Sequence, residues 1–321
     1  MNAALEVQGL SIDYLDDDGT PLHAVEDVGF SVAKGRSLAL VGESGCGKTT
    51  TMLALLRLLP AEGRITSGKI LYGDVDLLQL SEEKMRQYRW KQMAIVFQGA
   101  MNALNPVRKV SEQIAEAMVN HDHLTRRQAL VQVGELMEMV GLQPERAQQY
   151  PHQFSGGMRQ RAMIAMALAC KPDILIADEP TTALDVMIQA QILELLKRLQ
   201  EQLGLSVILV THDLGVVAEL CDDVLVMYGG KVAEYGSVDT IFNHPLHPYT
   251  HRLLEAFPDV NAPNISLASI PGHPPPLNDL PPGCRFEPRC HRRTDICATL
   301  PPPLSQLEPD HYAACHHPED T

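Results

Sequence analysis

Ser37-Leu38-Ala39-Leu40-Val41-Gly42-Glu43-Ser44-Gly45-Cys46-Gly47-Lys48-Thr49-Thr50 runs a short apolar stretch into a glycine-rich turn and then into a helix-forming segment. Residues Gly42 to Thr49 satisfy the pattern G-x-x-x-x-G-K-[ST] without a mismatch. Gly42, Gly45 and Gly47 permit turns closed to residues with a Cβ, so the backbone N–H groups of this loop, including those of Ser44 and Cys46, can converge on phosphate oxygens. The helix that follows adds the positive end of its dipole. The spacing assigns Lys48 to the β and γ phosphates and the Thr49 hydroxyl to Mg²⁺, with Thr50 as a further phosphate contact. A chance glycine-rich turn is the bland alternative. Its position between an apolar run and a helix argues against that, and ATP with Mg²⁺ is the ligand expected.

Outward from this loop, apolar or alternating runs at residues 5–14 and 25–32 read as strands, and residues 49–59 as a helix closed by Pro60. Residues 69–80 read as a strand and turn, and 94–98 as a buried strand. A helical pattern covers residues 110–142, and residues 158–170 and 188–203 read as further helices. Residues 174–177 and 206–210 are compact apolar strands. Alternating strands and helices predict an α/β fold with a mostly parallel, helix-covered sheet. The helical stretch breaks that alternation and reads as an insertion.

The strand at 174–177 runs directly into Asp178-Glu179. Two carboxylates at a strand end can divide the work of phosphoryl transfer, one on the Mg²⁺ shell and one orienting water. Asp178 is assigned to the metal and Glu179 to the general base. Alone, the pair would be a solvated acidic turn; the upstream phosphate loop shifts the balance.

The composition narrows the partners. The chain has 321 residues, 45% hydrophobic, with 40 Asp and Glu against 26 Lys and Arg and a net charge of −14. That balance carries no bulk basic footprint, so nucleic acid is not expected as a partner. No apolar run reaches the roughly 18–20 residues of a spanning helix, and the N-terminus lacks the pattern of a signal peptide. A cytoplasmic protein that reaches a membrane only through partners is the expectation.

With the phosphate loop and acidic strand in place, Phe154-Ser155-Gly156-Gly157-Met158 resembles the LSGGQ signature of ABC ATPases, with Phe in the first position and Met in the last. The order of the other short motifs is similar to that family: Gln98 as the Q-loop residue, Ala183-Leu184-Asp185 as the D-loop, His212 as the switch histidine. Tyr14 stands where an aromatic platform for adenine would be. Outside this order, Gln98 and His212 would be ordinary polar positions, Tyr14 a packing residue and Asp185 the cap of a helix beginning near Val186.

The resemblance covers roughly the first 240 residues. It implies a P-loop NTPase core with an inserted helical subdomain at about residues 107–165, within an ATPase domain of residues 1–243. Its members work as dimers of ATPase domains with two ATP molecules in head-to-tail sites, so Ser155, Gly156 and Gly157 would meet the γ-phosphate held by a second subunit, identical or paralogous. Gln98 would join Thr49 and Asp178 at Mg²⁺, and Gln98 and His212 would join Glu179 in hydrolysis. Met158 in place of Gln removes a side-chain amide from the signature and spares its Ser-Gly-Gly core.

Residues 97–106, from Phe97 to Pro106, are similar to the dipeptide/oligopeptide permease branch, with Gly99-Ala100 where that branch often has Asp-Pro. His247-Pro248-Tyr249-Thr250, followed by Leu253-Leu254 and Pro258, is similar to its C-terminal extension, placed here at residues 244–321, within which a Pro-rich linker at 271–282 leads into a cysteine-rich tail. This implies an importer motor peripheral to the cytoplasmic face of the membrane, with two membrane permease subunits and an external solute-binding protein. Di- or oligopeptides are the expected cargo. Nickel and glutathione belong to the same branch. Soluble ABC ATPases of DNA repair or translation need coiled coils or paired cassettes, neither of which is visible; a redox-responsive regulatory ATPase and an exporter are the other readings.

Cys284, Cys290, Cys297 and Cys315, spaced C-x5-C-x6-C-x17-C, resemble the cysteine motif of the permease branch that is associated with a [4Fe-4S] cluster. Structural Zn²⁺ is the rival, with His291, His316 and His317 at hand for a mixed site. Disulfides come third in a chain expected in the cytoplasm. The metal is expected to staple a tail with little core of its own.

Overall fold

The computed structural model of the chain describes residues 3–16, 18–98, 103–182, 184–256 and 270–319. Gly99, Ala100, Met101, Asn102, Ala183 and Pro258 therefore lie outside the described residues. The central strand is β3 (Ser37–Val41), every residue of which is buried. It lies between β8 (Ser206–Val210) and β9 (Asp223–Tyr228), parallel to both. Beyond β8, β7 (Ile174–Asp178) and β6 (Met93–Val96) continue the parallel sheet. Burial on both faces explains why these strands read as unbroken apolar runs.

The expectation of one mostly parallel sheet captures only part of the fold. A second, antiparallel sheet of order β2-β1-β4-β5 is built from β1 (Ala3–Leu15), β2 (Pro21–Ala33), β4 (Gly63–Tyr72) and β5 (Val75–Asp76). Leu5, Leu10, Ile12 and Val25 on its inner face pack with Leu38, Leu40 and Met52 into one core. The strand at the P-loop and the helix behind it are thus fixed from two sides.

The helix after the phosphate loop, α1 (Lys48–Leu55), stops short of the expected Leu59. Arg57 takes a left-handed conformation (φ 51°), which ends the helix before Pro60 is reached. After the short α2 (Glu82–Tyr88), the helical insertion consists of α3 (Val110–His121) and α4 (Arg126–Met139), with α5 (Gly156–Ala167) packed against both. A capping box starts α4, with Thr125 and Gln128 each bonding the other's backbone N–H. Ile114, Met118, Val133, Met137 and Ile164 form its core.

The C-terminal elements are not an appendage. β10 (Lys231–Ser237) follows β9 through Gly229-Gly230, both at positive φ, and pairs with β12 (His311–Ala313), which pairs with β11 (Ser305–Glu308). The tail thereby extends the central sheet to eight strands. Contrary to the expectation of a tail with little core, Tyr249 and Phe286 are fully buried against Tyr228, Val226 and Val41. The fully buried carboxylate of Glu234 accepts hydrogen bonds from the backbone N–H groups of Leu246 and His247 and meets His311 Nε2 at 2.7 Å.

Candidate functional site

The phosphate loop follows directly from β3. Gly42 has φ 142°, and a Cβ there would come within 2.2 Å of the Met227 carbonyl oxygen; at Gly47 (φ 100°) it would come within 2.9 Å of the Ala24 carbonyl oxygen. No side chain fits at either position. Lys48 is buried, and its ammonium donates to the carbonyls of Gly42 (2.7 Å) and Glu43 (3.0 Å), bridging the loop from within. Gly47 caps α1 without a side-chain hydrogen bond, which leaves the first N–H groups of the helix available to an anion.

The acidic pair splits as the strand geometry dictates. Asp178 is the last residue of β7 and is buried, with the Thr49 hydroxyl near enough to favour its charged form. Burial, reinforced by the neighbouring Glu179 charge, pushes its carboxyl up to about 6. Its Oδ1 is buried without a hydrogen-bond partner. An orphaned hard oxygen beside a P-loop threonine fits a magnesium ligand, since an anion in that position gains from a cation what burial takes away.

Glu179 turns away from the strand at φ 42°, a conformation unusual for a residue with a side chain and characteristic of positions held for function. Its Oε2 accepts from Gln98 Nε2 (2.7 Å) and from the Thr182 hydroxyl (2.9 Å), and its Oε1 meets His212 Nδ1 at 3.2 Å. Gln98 stands two residues beyond β6 and His212 two beyond β8, so three neighbouring strands deliver these side chains to one place.

A cleft of about 570 Å³ collects the expected residues Tyr14, Ser44, Gly45, Gly47, Lys48, Thr49, Thr50, Gln98, Glu179 and His212. Within it, the Tyr14 hydroxyl lies 3.4 Å from that of Thr50. Leu277, from the Pro-rich segment, also lines the cleft. Sequence reasoning missed it, because a linker leucine carries no local signal.

Ser155, Gly156 and Gly157 do not line that cleft. Ser155 is exposed at the N-terminus of α5, its hydroxyl accepting from the Met158 N–H. A Cβ on Gly157 would come within 2.6 Å of Ile188 Cγ2, and one on Gly156 within 3.3 Å of Leu184 Cδ2. The turn therefore lies flat on the segment that starts α6 (Val186–Leu203), where Asp185 caps the helix through Ile188 N–H (3.0 Å). Met158 packs its apolar side chain against the helical core, which gives the residue a place without an amide.

In the tail, Cys284, Cys290, Cys297 and Cys315 line one enclosed recess together with His247, Phe286, His316 and His317. Burial pushes the Cys284 thiol up to about 11 and the Cys315 thiol up to about 12, and raises that of Cys290. Among the described residues, no group of three or more His, Cys, Asp or Glu side chains is drawn together as a single metal site. No disulfide links the described cysteines. No described helix is long and apolar enough to cross a membrane.

Residues 25–182 match the ABC transporter family, and residues 233–297 match the C-terminal region of oligopeptide/dipeptide transporters. The chain is 47% identical over 318 residues to the dipeptide transport ATP-binding protein DppD of Bacillus subtilis, covering 98% of this chain and 95% of that protein. It is 44% identical over 320 residues to the oligopeptide transport ATP-binding protein OppD of Escherichia coli, with 99% and 94% covered. Among solved structures, CbiO1 of Clostridium perfringens, part of an ABC transporter complex, is 30% identical with a TM-score of 0.65, over 76% of this chain and 92% of that one. A dimeric ATP-binding cassette in a post-hydrolysis state bound to ADP and Pi is 26% identical with a TM-score of 0.65, over 73% and 98%.

Proposed function

Because the chain belongs to the ABC transporter family and carries the C-terminal region of its oligopeptide/dipeptide branch, we propose that it is the ATP-hydrolysing subunit of an importer of di- or oligopeptides. The convergence of Gln98, Thr182 and His212 on Glu179, in the cleft that holds the phosphate loop, carries this reading.

The loop N–H groups and Lys48 hold the triphosphate, and Tyr14 offers its ring to the base. Thr49, Asp178 and Gln98 would hold Mg²⁺, which would supply neutralisation of charge on the phosphate oxygens. Glu179 accepts a proton from the attacking water as that water forms its bond to the γ-phosphorus and the bond to the ADP oxygen breaks. His212 steadies Glu179 and the γ-phosphate, and Gln98, which donates to Glu179, would be one of the residues that hold the metal. Positioned charge of this kind supplies most of the acceleration in phosphoryl transfer.

Ser155, Gly156 and Gly157 complete the site of a second ATPase subunit. The exposure of Ser155 at a helix start, with the whole turn away from the chain's own cleft, supports that division. Closure on ATP and reopening after hydrolysis move two membrane permease subunits fed by an external solute-binding protein, with this chain peripheral at the cytoplasmic face. ATP binds the closed pair better than the open one, and that difference drives the cycle. We divide the chain into an ATPase domain of residues 1–243 and an extension of 244–321, the match to the transporters' C-terminal region beginning somewhat earlier, at residue 233.

The four tail cysteines hold a [4Fe-4S] cluster as a structural staple, with zinc the rival occupant. Their shared recess supports this, four thiolates being the donor set such a cluster takes. Anaerobic purification followed by iron, sulfide and zinc analysis decides between the two; stoichiometric zinc without iron removes the cluster. For the motor itself, ATP hydrolysis by the assembled transporter is the test, with Glu179→Gln abolishing turnover and retaining nucleotide.

A further inference from the structure

Glu43 occupies a variable position of the phosphate-loop pattern, yet every polar group it has is held. Its carbonyl accepts from Lys48 at 3.0 Å, and its N–H donates to the Tyr249 hydroxyl at 2.9 Å. Its carboxylate takes both arms of Arg289, Nη1 to Oε2 at 2.6 Å and Nη2 to Oε1 at 3.1 Å. Two of these three partners come from the C-terminal extension, more than 200 residues away in sequence.

Arg289 is built for this position. It closes the 3₁₀ turn at Glu287–Arg289, between Cys284 and Cys290. Its remaining contacts use up the guanidinium: Nη1 donates to the Tyr228 hydroxyl (3.1 Å), Nε to the Pro271 carbonyl (2.7 Å) and Nη2 to the Ile270 carbonyl (3.3 Å). The side chain is 5% exposed and that of Glu43 25%. An exposed ion pair contributes little, but a bidentate, largely buried one with all donors matched is strong and geometrically specific. The turn is tied down a second time by Arg285, whose buried side chain bonds Glu26 on β2 and the Gly229 carbonyl.

We propose that Arg289 is a positioning residue of the nucleotide site, fixing the phosphate loop through Glu43 so that the cysteine-bounded turn of the extension sets the affinity for ATP. The proposal rests on the phosphate loop holding ATP. Arg289 touches no nucleotide; it removes a degree of freedom from the backbone that does. A loop fixed before ATP arrives loses less entropy on binding, so the effect falls on affinity rather than on the chemical step.

The test is a double-mutant cycle on the assembled transporter, reading KM and kcat for ATP in Arg289→Lys, Glu43→Gln and the pair. Lysine keeps the charge and loses the fork. Arg289→Lys is expected to raise KM about ten-fold with kcat within about two-fold, and the double variant to be no worse than the more severe single one. A KM within about two-fold of wild type in a folded Arg289→Lys transporter overturns the proposal, and so do single effects that multiply in the double variant. If Arg289→Lys does not assemble, Glu43→Gln removes the same pair from the loop side: a raised KM sustains the proposal and an unchanged one sinks it. Lys48→Ala separates the two levels. If that variant binds ATP as well as wild type, the nucleotide site itself is misassigned; if it loses ATP while Arg289→Lys is unaffected, only the Arg289 proposal fails.

Discussion

His212 Nδ1 lies 3.2 Å from Glu179 Oε1, joining the residues just beyond two adjacent parallel strands, β7 and β8. The contact brings the proposed general base and its proposed steadying partner together at the ends of adjacent strands. Glu179 is held there at φ 42°, with Gln98 on its other oxygen.

Removing the base separates binding from turnover. Glu179→Gln keeps the shape of the side chain and one acceptor oxygen but loses its basicity, so hydrolysis by the assembled transporter falls by about 10²–10⁴-fold while ATP binding persists. His212→Ala also lowers turnover, by less. Steady-state phosphate release alongside equilibrium nucleotide binding checks both.

Lys48→Ala removes a buried ammonium that bridges the loop carbonyls of Gly42 and Glu43. Nucleotide affinity drops by about ten-fold or more, the worth of a charge-assisted phosphate contact. Titration with a fluorescent ATP analogue measures it.

Gly157→Ala puts a methyl group within 2.6 Å of Ile188 Cγ2. Either Ile188 shifts or the Ser155–Gly157 turn lifts, and a displacement of this size costs about ten-fold in a positioned reaction. The expected loss is in hydrolysis by the assembled pair. ATP binding by this chain's own cleft stays at the wild-type level, which a binding titration on the same preparation verifies.

His247 makes the extension sensitive to acid. Burial lowers its imidazole to about 4, and its Nδ1 accepts from the Tyr249 N–H. Glu234 and Glu319 pull in the opposite direction and are outweighed. Because the folded value lies below the ordinary 6.5, this group's contribution to stability is fully present above pH 6.5 and is lost as the pH falls toward 4. At pH 5 the loss is about 2 kcal/mol. His311, held by Glu234 and Glu308, is shifted up and contributes with the opposite sign. Comparing wild type with His247→Gln isolates the one ring, and the variant's unfolding midpoint between pH 7 and 5 is expected to shift less than that of wild type.

The phosphate loop, the acidic strand end and the signature turn were legible because each is a local pattern whose chemistry depends on neighbours in sequence. The second sheet was less so: β1 and β2 gave alternating runs, but nothing local says that they pair with each other and with β4 instead of joining β3. The β9–β10 hairpin carried a readable sign, Gly229-Gly230 between apolar runs. Leu277 in the cleft and Arg289 on Glu43 were beyond reach, since both depend on a tail that folds back across the whole length of the chain.

The most direct measurement is ATP-driven uptake of a labelled di- or oligopeptide by vesicles carrying the complete transporter, with this chain either wild type or Glu179→Gln. Uptake that requires ATP and the solute-binding protein, and disappears with Glu179→Gln, is the predicted result. Peptide accumulation at the wild-type rate with the Glu179→Gln chain, or no ATP-dependent uptake of any peptide by the wild-type complex, would contradict it.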